Sequence, residues 1–177
     1  MAGDPTLEAF PLPAGAGYRY ADSFTSQHHG VDIFAPLGTP LLAVRDGKAI
    51  SQMEPKGGRV VYLTADDGTR FFYAHLDSWE LPMMRPEGAR VLAGQKIGTV
   101  GTSGNAVGKA PHLHFQIRLG SLIVDPFPHL VAVDPDPNKP ALPAKTKSPI
   151  ETFMGGFGTG AGSALALVLI LWALSKR

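Results

Sequence analysis

Cysteine is absent from the 177 residues. Its absence excludes disulfides, a thiolate metal site and a cysteine nucleophile, so any metal must be held by histidine and carboxylate. Net charge is almost absent too: 16 Lys and Arg against 15 Asp and Glu leave +1. Such a chain has no strong field to hold a polyanion, which excludes nucleic acid as its main partner. Charged residues reach only 18%, but 44% are hydrophobic, which excludes a wholly disordered chain. The first twenty residues carry Asp4, Glu8 and three prolines, with no basic start and no apolar run. No secretory signal peptide is therefore expected there. Before residue 150 no segment shows a long helical period.

Glycine and proline are plentiful, at 21 and 16 residues, as in a turn-rich β protein. Short apolar runs bounded by Gly, Pro and Asp fall at Leu41–Val44, Val60–Thr64, Arg70–Ala74, Ile97–Val100 and Leu113–Leu119. Asp66-Asp67-Gly68-Thr69 lies between two of them and signals a hairpin. The expected fold is all-β and mainly antiparallel. Residues 1–19 read as an N-terminal extension and 20–132 as the folded domain. Residues 133–151 hold Pro135, Pro137, Pro140, Pro143 and Pro149 and almost no large apolar side chain. They read as a semi-rigid Pro-rich linker reaching roughly 50 Å. From Thr152 to Ser175 no residue is charged, and Ala164–Leu174 is solidly apolar with Trp172 near its end. Residues 152–175 read as one C-terminal transmembrane helix, with Gly156, Gly158, Gly160 and Gly162 in small-xxx-small spacing. The alternative is a helix buried in the protein or in an assembly.

Five of the six histidines lie in three short motifs: His28-His29-Gly30-Val31-Asp32, Tyr73-Ala74-His75-Leu76 and His112-Leu113-His114-Phe115. On a strand, His112 and His114 share one face and Leu113 and Phe115 the other. A catalytic zinc takes three protein ligands and keeps an open position. One His and one Asp of the first motif with one His of the third make such a set. Two histidines then remain for proton transfer and charge stabilisation. His29 and His129 are read as structural. Tyr73, two residues from His75, is open to two readings: a groove-lining residue or a packed strand tyrosine.

These segments resemble the LytM/lysostaphin-type zinc metalloendopeptidases. The resemblance runs through His28-x-Gly30-x-Asp32, Ala35-Pro36-Leu37-Gly38-Thr39-Pro40, Asp46-Gly47, Tyr73-Ala74-His75-Leu76 and Gly94-Gln95-x-Ile97-Gly98. It continues through Gly101-Thr102-Ser103-Gly104, Pro111-His112-Leu113-His114-Phe115 and Val124-Asp125-Pro126, in the family's order. It implies a small antiparallel β-sheet domain of the lysostaphin/LytM (duplicated hybrid motif) type, with a groove over one Zn2+. It implies His28, Asp32 and His114 as metal ligands and His75 and His112 as the catalytic pair. The implied activity is hydrolysis of peptide cross-links of bacterial peptidoglycan. With the C-terminal segment, the expectation becomes an enzyme anchored at the bacterial envelope or in a virion, as a bacterial or phage-encoded hydrolase. Two other classes are weighed: a non-catalytic LytM-like module that binds or activates a cell-wall hydrolase, and a phosphotransfer domain of the glucose-permease type. The intact His28/Asp32 pair argues against the latter.

Overall fold

Alternation of apolar and polar side chains, with glycine and proline between the runs, builds the chain into short strands. The computed structural model describes residues 4–22, 24–80 and 87–136. In chain order the strands are β1 (Arg19–Asp22), β2 (Val31–Phe34), β3 (Pro40–Leu42), β4 (Gly47–Glu54) and β5 (Gly58–Ala65). They are followed by β6 (Arg70–Trp79), β7 (Ala89–Val91), β8 (Lys96–Val100), β9 (His112–Leu119) and β10 (Leu122–Val124). One short helix, α1 (Phe127–Ala132), closes the described chain. Among the described residues, the strands form one antiparallel sheet of order β1-β2-β9-β6-β5-β4-β7, with β10 beside β9 and β8 joining β3 to β6. The all-β antiparallel expectation holds. So does the hairpin at Asp66–Thr69, where Gly68 N–H donates to Ala65 O at 2.9 Å and β5 pairs β6.

β9 shows the alternation plainly. Leu113, Phe115 and Ile117 are fully buried in the main core, while His112, His114, Gln116 and Arg118 face the other way. β6 does not keep its alternation. Val61 pairs with Tyr73, but Arg59 pairs with Leu76, so β6 carries one extra residue. That residue is His75, the only non-glycine with positive φ (68°) among the described residues. The bulge turns Ala74 and His75 to the same side and returns Leu76 to the core.

Tyr73 lies before the bulge and follows Phe71 into the core, so of its two readings the packed tyrosine is the one observed. It is fully buried, accepts the Val44 N–H at 3.0 Å and donates to Leu42 O at 3.2 Å. Tyr73→Phe should cost about 1–3 kcal/mol, because a buried N–H loses its partner. The readout is a Tm lowered by several degrees with hydrolysis retained.

Packing continues at both ends of residues 20–132. Residues before 20 are part of the packed unit: Leu7, Phe10, Leu12 and Tyr18 are buried in the main core. A Pro- and Gly-rich stretch has no periodicity, which is why it reads as an appendage. At the other end Val133 packs against the core, and Asp134 accepts hydrogen bonds from the hydroxyls of Tyr18 and Tyr20. The packed unit therefore extends past residue 132. The rest of the Pro-rich linker and the C-terminal hydrophobic helix lie outside the described residues. Among those described, no helix is long and apolar enough to cross a membrane.

Candidate functional site

Pairing of β2 with β9 places Asp32 directly opposite His114. Cross-strand neighbours point to the same face, and the His114 Nδ1 lies 2.7 Å from Asp32 Oδ1. His28 comes from the loop just before β2, which is closed by Thr25: the His28 N–H donates to Thr25 Oγ1 at 2.9 Å and Thr25 N–H to His28 O at 2.7 Å. His28 Nε2 is thereby 3.1 Å from both Asp32 Oδ1 and His114 Nδ1. Two imidazole nitrogens and a carboxylate oxygen thus form a tight triangle. Ligands around a tetrahedral zinc at ~2.0–2.1 Å stand about 3.3 Å apart. The donor types and their spacing fit that ion. Burial works against the Asp32 carboxylate. The hydrogen bond with His114 and the fields of His114, His28 and His112 outweigh it and hold its pKa below the ordinary aspartate value.

Gly30 explains the glycine inside the first motif. A Cβ there would sit 2.6 Å from Phe115 O and 2.7–2.8 Å from the His114 ring. Only a bare backbone leaves His114 its place. Gly30→Ala should push the ring out of the triangle and lower zinc affinity on the order of 10-fold or more, by analogy with losses of residues that orient metal ligands. Titration with a zinc indicator checks this.

His75 and His112 flank the triangle without joining it. Their rings are 4.8 Å apart. His75 Nδ1 donates to Ser103 O at 2.9 Å, and His112 Nδ1 donates to Ala110 O at 2.9 Å. A carbonyl only accepts, so each Nδ1 carries the proton and each Nε2 is left toward the groove. His112 Nε2 lies 4.0 Å from Asp32 Oδ2. Burial, helped by the fields of His112 and His114 and opposed by the Ser103 hydrogen bond and Asp32, holds the His75 pKa down to about 4. His75 is neutral at neutral pH. Its unusual backbone is held from two sides: its N–H donates to Gly57 O at 2.8 Å and its ring to Ser103 O. The 57–58 and 103–104 turns touch at Gly58 and Gly104, both with positive φ, where a Cβ on Gly58 would meet Gly104 N at 2.3 Å.

The five residues His28, Asp32, His75, His112 and His114 line one groove of about 550 Å³, with Phe72 and Ala74 on its floor. His29 is also at its rim, with its ring bonded to Ser26 O at 2.8 Å. His129 lies in α1. Sequence reasoning missed Gln116. Arg118 donates from Nε and Nη2 to Gln116 Oε1 at 3.3 and 3.0 Å, and the Gln116 amide nitrogen lies 2.9 Å from His114 Nε2. Alternation along β9 could have found it, since Gln116 shares the face of His114. Ser103 lies in the Gly101-Thr102-Ser103-Gly104 motif, but its role and that of Ala110 are carried by backbone carbonyls, which side-chain identity does not reveal.

Residues 26–126 match the sequence model of peptidase family M23. The chain is 39% identical over 113 residues to the glycyl-glycine endopeptidase ALE-1 of Staphylococcus capitis, a stretch covering 62% of this chain and 28% of ALE-1. The chain thus spans under a third of that relative's length. Among solved structures it resembles the catalytic domain of the antimicrobial peptidase lysostaphin from Staphylococcus simulans. There the TM-score is 0.53 and the identity 34%, covering 69% of this chain and 87% of that one. It also resembles a zinc-containing peptidase from Vibrio cholerae, with a TM-score of 0.57 and 25% identity over 81% of this chain and 41% of that one. The motifs, their order, the fold and the sequence match agree: this chain belongs to peptidase family M23.

Proposed function

We propose that the chain is a zinc-dependent endopeptidase that hydrolyses peptide cross-links of bacterial peptidoglycan. The observation that carries this reading is the His28–Asp32–His114 triangle flanked by two imidazoles whose Nε2 atoms face one groove. His28 Nε2, Asp32 Oδ1 and His114 Nδ1 would hold the zinc. When bound, zinc supplies Lewis acidity, polarising a carbonyl and making water acidic near neutral pH.

The chain's own residues do the rest. His75, kept neutral by burial with its Nδ1–H tied to Ser103, accepts a proton from water at Nε2. His112, set on the Asp32 side by Ala110 and by the Phe34 ring 5.3 Å away, presents Nε2 to the groove and, when that nitrogen also carries a proton, donates to the oxygen on which negative charge develops. Asp32 remains ionised and serves as a ligand rather than a base.

Incubation of the zinc-loaded full chain with purified peptidoglycan, followed by mass spectrometry of released fragments, tests the reading. New amino and carboxyl ends in the peptide bridges or stems are expected. Intact peptides with tight binding would favour the non-catalytic module instead. We also propose that the apolar segment Ala164–Leu174 anchors the protein at a membrane, supported by its lack of any polar side chain. Fractionation with and without detergent tests it.

A further inference from the structure

The groove face carries a row of cations, of which only Arg118 reaches the site, through Gln116. Arg118 pairs with Arg70, Arg70 with Thr64, Thr64 with Lys48, and Lys48 with Arg90. Directly paired residues of neighbouring strands share a face, and Arg118 lies on the face of His114 and Gln116, lining the groove itself. Four cations thus cross five strands in one line. Arg118 and Arg70 stand directly opposite each other, an arrangement of like charges that destabilises a sheet.

The charges are not evenly balanced. Arg90 is paired, 2.5 Å from Asp66 and 3.8 Å from Asp46. Arg118 spends two donors on the neutral Gln116, and Arg70 one on Gly120 O at 2.9 Å. Among the described residues, Arg118, Arg70 and Lys48 form no ion pair with a carboxylate. The nearby groove acid, Glu54, is engaged by the Tyr62 hydroxyl and by Gln52 Nε2 at 3.1 Å. Burial and Glu54 push the Tyr62 hydroxyl up to about 12, while Arg118 and Arg70 pull it down, so both guanidiniums act over the groove wall. Free positive charge is therefore concentrated at the groove end of the row, and the far end is neutralised.

We propose that Arg118 and Arg70, with Lys48 behind them, form a subsite that binds a carboxylate of the peptide being cleaved. This rests on the hydrolase reading above. His114 and Arg118 are four positions apart on β9, about 13 Å at ~3.3 Å per residue. An extended peptide has nearly the same rise, so the carboxylate belongs about four residues from the scissile bond. Neutralisation of Arg90 at the sheet edge favours a single carboxylate over a long anionic polymer lying across the strands.

The test uses the full zinc-loaded chain and fluorescent peptides of one sequence. A free carboxylate is placed at successive positions, each matched by its carboxamide. Anisotropy measures binding and chromatography measures cleavage. At one position the carboxylate should bind about tenfold tighter, an advantage seen in KM rather than kcat. Salt at about 0.5 M should erase it. Arg70→Gln should narrow the ratio between the paired peptides, and Arg70→Lys should restore most of it. Cleavage without carboxylate preference at any position overturns the subsite and leaves the hydrolase standing. Preference in binding with no cleavage keeps the subsite and overturns the hydrolase. Arg70-dependent binding of poly(glycerol phosphate), without carboxylate preference, assigns the row to a wall polymer and overturns the proposal.

Discussion

Replacing His114 by alanine is expected to remove zinc and hydrolysis together. Its Nδ1 touches both other donors, at 2.7 Å from Asp32 Oδ1 and 3.1 Å from His28 Nε2. Without it, two donors remain where a catalytic zinc needs three. Asp32 also loses the hydrogen bond that most strongly offsets its burial. The fold should survive, because β9 is anchored from its other face by Leu113, Phe115 and Ile117. Zinc content by atomic absorption should fall from one per chain to near zero, and clearing of a peptidoglycan suspension should stop. Chelation of the unmodified protein should have the same effect and zinc should reverse it. Full activity in excess chelator would contradict the assignment.

His75→Ala and His112→Ala should behave differently. Each should keep its zinc and lose on the order of 10²–10⁴-fold in kcat, the usual worth of a positioned acid or base. Neither ring belongs to the triangle, and each is held by a backbone carbonyl instead. His75 offers an added check, because its φ of 68° is a glycine-like conformation. His75→Gly should be more stable than His75→Ala by about 1 kcal/mol, yet no more active. If activity followed stability across these variants, His75 would be a structural residue. A metal-free His75→Ala alongside a zinc-bearing His28→Ala would reverse the roles of the two histidines.

The strands named from apolar runs are present because period-two patterning is a local property: on β9 it separates Leu113 and Phe115 from His112 and His114. Strands with mixed surfaces were less visible. β4, Gly47–Glu54, faces the core with Ala49 and Ser51, and β2 is only four residues long. The stretch before residue 20 reads as an extension because its core residues, Leu7, Phe10 and Leu12, follow no period. Their burial is decided by surfaces contributed from elsewhere in the chain.

The chemical types at the site were determined by the sequence itself. With no cysteine, the His28/Asp32 spacing and the His112/His114 alternation left histidine and carboxylate as the donors, and these side chains do meet. Only the tertiary structure decided their geometry. The β2–β9 register set Asp32 against His114. Tyr73 follows Phe71 into the core by ordinary alternation, and one extra residue in β6 sent His75 into the groove, against the alternation that would have put them together. Backbone carbonyls of Ser103 and Ala110 chose the nitrogens the two imidazoles present. The row from Arg118 to Lys48 exists only through strand pairing, since these residues are far apart in the chain. Residue identity is written locally and dictates which bonds a side chain can make. Register, bulges and carbonyl positions arise from packing between distant segments, and they determine which of those bonds form.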